Sequence, residues 1–464
     1  MINKYTRTPQ FEIEIRRPNF SVNKYEDELI ATFGNSSSHN SFTDCLSYEY
    51  SESLDSPSTG FTMTLTLSKD AQGKTWLDKI AVRDLVFIKE HGKVRFVGYV
   101  NRRRYAARMG DKGAQRVITI EGMNLGNLLV TFSIVIDQHI LSSNKTALTA
   151  SRQFMNSIAS KVEENQSLAE LMKSIINSYL TMQEAIGGNQ NTGLKQIIDN
   201  FFDLGSKFST EITAKYPMVL SLYQTGENNL FDILQSIITI PFHELYAKWN
   251  GAPGVNKYEF IARPTPFDAV DWSNLPITVI PDDLPNVFLR DYDIGDSDDE
   301  VKTVFGVFLP GSGYSREKSL TLNDFSINLK IDQEKWPYYG YRPMFTELKF
   351  FNRAKEAEFQ ANELIKTYSQ KLYDWFHNNP LFLSGTVTIM NLQNSTFPKY
   401  PSIGERLGFL GGEFYIESVR RSWEFGGNMI SQLGISRGFK RDSSGNLQQP
   451  ITNLGQKIGV LEVS

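Results

Sequence analysis

The side chains suited to catalysis are few and poorly spaced in this chain. Five histidines, His39, His91, His139, His243 and His377, are scattered along 464 residues, and none of the intervals is that of a metal-ligand pair. His243-Glu244 opens the HExxH pattern that sets two imidazoles one helical turn apart on zinc, but the closing position is Ala247 and the second ligand is missing. The run from Asp291 to Glu300 is rich in carboxylates and invites a calcium reading. An EF-hand starting at Asp291 needs an oxygen ligand at Gly295, a glycine at Asp296 and a glutamate at Lys302, and has none of them. A solvated acidic loop is the expectation there, with a calcium site of another type left open. Gly311-Ser-Gly-Tyr-Ser315 is not a nucleophile elbow, and no phosphate-binding or dinucleotide fingerprint occurs. Cys45 is the only cysteine, which excludes an intrachain disulfide and a thiolate metal cluster. Carboxylate pairs for glycoside hydrolysis meet only in space and stay open. The reading is therefore of no catalytic residue, no cofactor and no metal.

The basic cluster Arg102-Arg103-Arg104, followed by Arg108, is the other feature with chemical reach. On a strand, Arg102 and Arg104 face one side and Arg103 the other, so the cluster is not one flat stripe for phosphates; surface charge or ion pairing is the expectation. The global balance agrees. Lys and Arg number 48 against 52 Asp and Glu, a net charge of −4, without the positive field that gripping nucleic acid requires. Aromatic residues are 12% of the chain, a globular composition. The N-terminal residues lack the apolar run of a signal peptide, and the most lipid-like stretch, Leu128 to Ile136, is far short of the ~18 apolar residues that span a bilayer. A soluble, multidomain protein is expected, with about three domains for this length.

The elements that carry these residues begin as strands. Phe11 to Ile15 and Phe61 to Leu67 alternate apolar and polar. Asp84–Lys89 and Val94–Val100 form a hairpin around His91-Gly92, and Arg116–Glu121 follows. Gly34–Asn40 and Ser51–Gly60 read as loops. After residue 142 the period becomes helical. Ser167-Leu-Ala-Glu170 is a capping box ahead of an apolar face that includes Met172, Ile175, Ile176 and Tyr179, and a second helix runs from about Leu194 to Phe202. Asn229 caps a further helix stopped by Pro241, strands follow at His243–Trp249 and Lys257–Arg263, and the proline-rich 264–285 reads as irregular chain. A long helix covers roughly Phe351 to Trp375. Strands resume at Gly385–Ile389, Glu413–Val419 and Ile430–Ile435, before a polar tail with an apolar patch at Ile458–Val463.

Two of these hairpins look alike. Arg95-Phe-Val-Gly-Tyr-Val-Asn-Arg-Arg103 leads to Val117–Gly122, and Glu413-Phe-Tyr-Ile-Glu-Ser-Val-Arg-Arg421 leads to Gln432–Gly438. The pattern suggests two related barrels separated by helical insertions, with two unrelated hairpins as the alternative.

The order of four passages resembles the baseplate hub proteins of bacteriophage tails, the late-control-protein-D-like group that also occurs in contractile injection systems. They are Phe96-Val-Gly-Tyr-Val100 with Ile118-Thr-Ile-Glu-Gly-Met-Asn124; Leu230–Ile238 with Tyr258–Pro264; Asp291–Val301 with Thr303–Phe308; and Gly385–Ile389, Tyr400–Glu405, Phe414–Val419 and Gly434–Gly438. The resemblance covers roughly residues 60–130 and 228–440. It implies an α+β, multidomain fold: two tube-like antiparallel β-barrels and a small α/β middle domain, to which the residue pattern adds a helical insertion that lies outside the resemblance. The first barrel would span 1–140, the insertion 141–225 and the middle domain 226–300. The second barrel would take 301–345 and 380–441, interrupted by the long helix at 346–379, with a tail at 442–464.

The resemblance further implies a structural, non-enzymatic protein of the virion tail baseplate. It would be a homotrimer whose six barrels join a hexameric tail tube to a trimeric spike. Tail tube and central spike are the implied partners, with baseplate wedge and tape-measure proteins beside them; DNA passes through and no membrane is bound stably. Phe96, Val97, Val100, Phe414, Ile416 and Val419 are the expected ring-interface or barrel-strand positions. The alternatives are a receptor- or glycan-binding tail-tip protein, suggested by Trp336-Pro-Tyr-Tyr-Gly-Tyr341, and a tail-associated cell-wall hydrolase. Val97→Asp or Ile416→Asp should each cost several kcal/mol, because a carboxylate replaces an apolar strand position. A urea-unfolding midpoint unchanged in both variants would refute the strand assignment.

Overall fold

The structure, a computed structural model, describes residues 10–19, 25–34, 44–110, 113–131, 133–135, 149, 168–186, 193–208, 227–252, 255–280, 289–308, 329–348, 358–390, 400–409, 412–441 and 447–448. The stretch 35–40, His39, His139, residues 311–315 and the tail patch 458–463 lie outside them.

The first group of strands is β1 (Phe11–Asn19), β2 (Glu26–Gly34), β3 (Cys45–Ser53), β4 (Gly60–Thr66), β5 (Leu85–Glu90), β6 (Lys93–Gly110) and β7 (Gly113–Asn124). Next come β8 (Ser133–Val135), β9 (Phe202–Phe208), β10 (Glu227–Asn229), β11 (His243–Asn250), β12 (Lys257–Pro264) and β13 (Ile277–Val279). The last group begins with β14 (Leu289–Gly295), β15 (Val304–Phe308), β16 (Lys330–Ile331) and β17 (Pro343–Glu347). It ends with β18 (Ser384–Met390), β19 (Arg406–Phe409), β20 (Gly412–Glu424), β21 (Ile430–Arg441) and β22 (Leu447–Gln448).

Fourteen of these strands belong to one sheet, ordered β14-β18-β21-β20-β3-β4-β7-β6-β5-β1-β2, with β19, β13 and β22 branching from it. Almost all of its ladders are antiparallel; β13 against β19 is parallel. The sheet contains one unit twice. Strands β3, β4, β5, β6 and β7 pair as β3-β4-β7-β6-β5, and β14, β18, β19, β20 and β21 pair in the same chain order as β14-β18-β21-β20-β19. The likeness of the two hairpins thus extends to five strands. It reaches the irregularities too. One residue is extra in β3 (Leu46) and in β14 (Arg290), and one in β6 (Asn101) and in β20 (Glu417). Gly122 and Gly434 face these last two bulges, where a Cβ would collide with the Tyr99 carbonyl oxygen and the Ser418 hydroxyl respectively. Among the described residues neither unit is closed into a barrel by hydrogen bonds.

Alternation sets which side is buried. Phe11, Ile13 and Ile15 face the core of the first unit, while Glu12 and Glu14 face out and share Lys89. β3 has the same alternation, with Tyr48, Tyr50 and Glu52 inward and serines and Glu49 outward; its outward polarity is why Ser51–Ser53 resembles a loop in the sequence. The second unit has its own core around Val387, Leu407, Ile416 and Leu433. Trp423 of β20 crosses into the core of the first unit, with its ring 4.3 Å from that of Phe11.

Outside the sheet, β11, β12 and β9 form a three-stranded sheet in which β9 runs parallel to β12. The helices Leu168–Ile186, Gly193–Phe201 and Leu230–Ile237 share an apolar cluster with it, which also takes in Val97 and Tyr99 of β6. The segment expected to be mostly helical therefore holds a strand, β9. Its partner lies about fifty residues further on, and such a pairing leaves no local periodicity. Asn229 caps its helix, accepting a hydrogen bond from the Asp232 N–H at 2.8 Å. The proline-rich stretch, expected to be irregular, holds the helix Ala269–Asn274, drawn in by buried Trp272. The long helix, described from Glu358 to Phe376, packs on β15 through Leu372 and Trp375. Trp423→Ala should cost about 3–5 kcal/mol, since it empties a large site shared by the two units. Urea denaturation measures this; a shift within error would show that the units do not share a core.

Candidate functional site

The candidate surface lies where the two units meet. Beyond its bulge, β20 runs antiparallel to β3, from Ser418 opposite Ser53 to Glu424 opposite Ser47. Val419, Arg421 and Trp423 point into the molecule, and Ser418, Arg420, Ser422 and Glu424 point away from it. β3 presents Ser47, Glu49 and Ser51 on the same outer side. The result is a polar outer face on both sides of the junction, in hydroxyls and charged groups, with Met390, Trp423 and Ile430 reaching the concavity at its centre. At the junction it forms a concavity of about 770 Å³, lined by Ser47, Glu49 and Thr62 from one unit and Ser422, Glu424 and Asn428 from the other.

Charges on this face are paired across strands. Arg420 donates to Glu49 at 2.7 Å, joining β20 to β3, and Arg104 meets Glu121 at 2.5 Å on the hairpin of the first unit. The Glu49 carboxylate holds the Arg420 guanidinium above its ordinary range. Such exposed pairs stabilise a fold by only about 0–1 kcal/mol. Their effect is on the field: the face has few uncompensated cations with which to hold a polyanion.

Under the same junction lies a buried ionic network. Arg421 of β20 sits 3.7 Å from Glu52 of β3 and donates to the Tyr50 hydroxyl at 3.4 Å and the Pro401 carbonyl at 2.5 Å. Tyr48 donates to Glu90 at 3.1 Å, and the Arg95 guanidinium lies 4.0 Å over the Tyr400 ring. Two arginines and two glutamates thus balance one another among three tyrosines. Burial pushes Glu52 and Glu90 above the usual carboxylate range, against the pull of Arg421. Burial and the neighbouring Arg421 push Arg95 down. Arg421 itself is pulled down by burial, but Tyr50, Glu52 and Glu90 outweigh this and hold it above its ordinary range.

The residues singled out in the sequence lie on β6 and β20, of which only β20 forms this junction. Phe96, Val97, Val100, Phe414, Ile416 and Val419 are all buried in the chain's own apolar clusters, which leaves them little surface to offer another chain. Arg103 is on the opposite side from Arg102 and Arg104 and donates to the carbonyls of Leu77, at 2.9 Å, and Ile80, closing the turn beneath β6. Glu49, Glu52 and Arg95 were not identified from the sequence. In the sequence Arg420 and Arg421 align with Arg102 and Arg103 of the repeated hairpin, but the bulges at Asn101 and Glu417 shift the match by two, so Arg104 and Tyr105 hold the equivalent places in the fold.

The half-formed zinc motif is occupied otherwise. Burial pulls His243 down to about 4, so it is neutral at pH 7, and Glu244 accepts from Arg263 and from the Tyr415 hydroxyl at 2.7 Å. The acidic run, expected as a loop, begins as strand β14 and becomes exposed chain after Gly295. Among the described residues no three His, Cys, Asp or Glu side chains group to hold a metal ion. Burial pushes the Cys45 thiol up to about 12, far from a nucleophile's range. Among the described residues no helix is long and apolar enough to cross a membrane.

No protein-family model matches the chain. No curated protein matches it either. Solved structures similar to it include the 43 kDa tail protein of prophage MuSo2 from Shewanella oneidensis, at 12% identity and a TM-score of 0.46 over 92% of this chain and 98% of that one. Another is the tail protein from Neisseria meningitidis MC58, at 10% identity and a TM-score of 0.47, covering 92% of this chain and 96% of that one. A third is a chain of the Francisella PdpA–VgrG complex, at 9% identity and a TM-score of 0.42, with 93% of this chain covered and 53% of that one.

Arg421→Met should destabilise the chain by about 3–5 kcal/mol at pH 7, because it strands two buried carboxylates. The loss should shrink on acidification. A carboxyl with a raised folded-state pKa takes up its proton more readily in the folded than in the unfolded chain, so stability is gained as pH falls through that range and lost as it rises. Urea midpoints of both proteins between pH 4 and 7, an interval of about three units, measure this; a loss independent of pH would refute the network.

Proposed function

We propose that this chain is the central hub of a phage-type tail baseplate, a homotrimer that forms a pseudo-sixfold ring between the tail tube and the spike. The observation that carries the reading is the duplicated five-strand unit, joined edge to edge within one chain through β20 and β3. Two equivalent units per chain and three chains give six equivalent positions. A ring so built presents sixfold geometry to a hexameric tube and threefold geometry to a trimeric spike. In this reading each unit closes, with its flanking strands, into one tube-like barrel, and the continuous sheet forms the inner wall.

The polar face is then the wall of the channel. Hydroxyls and cross-strand ion pairs let DNA or other cargo slide, where a basic wall would retain it by releasing counterions. The site for this work is the virion tail baseplate, with tube and spike as partners and wedge and tape-measure proteins as further contacts. The role is structural, and no group in the described site is arranged for bond chemistry.

A second reading, a glycan- or receptor-binding tail protein, draws on an exposed aromatic patch in which Tyr338 is 85% and Tyr341 62% accessible. Specific adsorption of the purified chain to host cells would favour it.

The mass and symmetry of the purified chain test the hub. Three copies of 52.8 kDa make about 158 kDa, expected by light scattering, with an open-centred ring in negative-stain images. A monomer that also fails to associate with tube and spike proteins would overturn the reading.

A further inference from the structure

Within the chain the two units join by one specific seam, and each unit has an edge left over. β6 pairs on both sides only as far as its bulge; from Arg102 to Gly110 it pairs with β7 alone among the described residues. Among the described residues β14 pairs with β18 alone. These are the counterparts of the two strands that make the seam, because β6 corresponds to β20 and β14 to β3. The other terminal strand, β2, has no counterpart in the second unit. We propose that copies of this chain join through a repetition of the seam, the far half of β6 in one copy pairing antiparallel with β14 of the next. The proposal rests on the ring reading above and names the surfaces that close it.

The bulges fix the correspondence. Aligning Asn101 with Glu417 sets Arg104 in the place of Arg420, and aligning Arg290 with Leu46 sets Asp293 in the place of Glu49. The one ion pair that bridges the outer face of the in-chain seam, Arg420 to Glu49, therefore becomes Arg104 to Asp293 between copies. In the same register Ala106 lies opposite Asp293, as Ser422 lies opposite Glu49, and Arg108 opposite Asp291, as Glu424 lies opposite Ser47. Charge complements along the edges. The β6 edge has Arg102 and Arg104 with Glu121 beside them, whereas the β14 edge has Asp291 and Asp293 with one arginine, Arg290.

Exposure points the same way. Tyr105 and Tyr292, on the inward side of the two open edges, are 57% and 37% accessible. Their counterparts at the in-chain seam, Arg421 and Tyr48, are 3% and 1% accessible. A second copy paired in this register would cover both rings. Unpaired strand edges bordered by exposed aromatic rings are surfaces that folded proteins normally cover.

The test uses the full chain carrying Ala106→Cys and Asp293→Cys together. Residues directly opposite on antiparallel strands have Cα atoms about 4.5–5.5 Å apart, within reach of a disulfide. Copper-phenanthroline oxidation should give thiol-reversible species up to a trimer, and neither single variant should. Independently, Arg104→Asp or Asp293→Arg should weaken self-association about tenfold at low salt, and the double reversal should restore it. A chain of trimeric mass with neither crosslink nor charge rescue overturns this seam and leaves the ring standing. Crosslinking that stops at two copies supports the seam and overturns the threefold ring. A chain that remains monomeric and uncrosslinked overturns both.

Discussion

The edge-to-edge pairing of β20 with β3 is the constraint on which the rest of the molecule depends. A strand edge with unsatisfied N–H and C=O groups must be paired, covered or blunted. Here the second unit's edge satisfies the first unit's, and the pairing determines what can happen on either side of the sheet. Outward, it makes one surface of two. Inward, it carries Trp423 into the neighbouring core and Arg421 against Glu52. The bulge at Glu417 sets this alternation, because the extra residue determines which side of β20 faces the core beyond it.

The inner side of the junction is held by charge as well as by the apolar packing of Trp423. Desolvating Glu52, Glu90, Arg95 and Arg421 is costly, and their attraction offsets that cost only in one arrangement. Apolar contacts tolerate a register slip far better than a buried guanidinium that must find a carboxylate, a hydroxyl and a carbonyl at once. The network thus favours one register among several the strands could adopt. The outer side obeys the opposite rule. There Arg420 and Glu49 are solvated, contribute little to stability, and neutralise each other on the outer face.

Much of the fold was legible in the sequence because much of it is local. Phe11 to Ile15 alternates, Asn229 precedes an apolar helix face, and His91-Gly92 turns a hairpin; each signal sits within a few residues of the structure it makes. The repeat was legible as a pair of hairpins, through the Arg-Arg steps Arg102-Arg103 and Arg420-Arg421, although the bulges place Arg104 and Tyr105 at the positions of Arg420 and Arg421 in the fold. Its extension to β3 and β14 was not. The first is rich in serine and tyrosine and resembles a loop, and the second is hidden in a run of aspartates that resembles an ion-binding loop. The strand β9 lay inside a helical stretch for the same reason, that a parallel partner distant in the chain leaves no local mark.

The sequence by itself determined the locally patterned elements, the near-neutral charge, the absence of a complete catalytic motif and the existence of two similar hairpins. These properties follow from residue type and short-range periodicity, which are present before the chain folds. The tertiary structure alone decided which edges meet, which of two adjacent arginines is buried and which solvated, and that Phe96, Val97 and Ile416 are core residues with little surface to offer a partner. Those outcomes depend on pairings across hundreds of residues, such as Glu49 with Arg420, whose energy arises only once distant segments are brought into register.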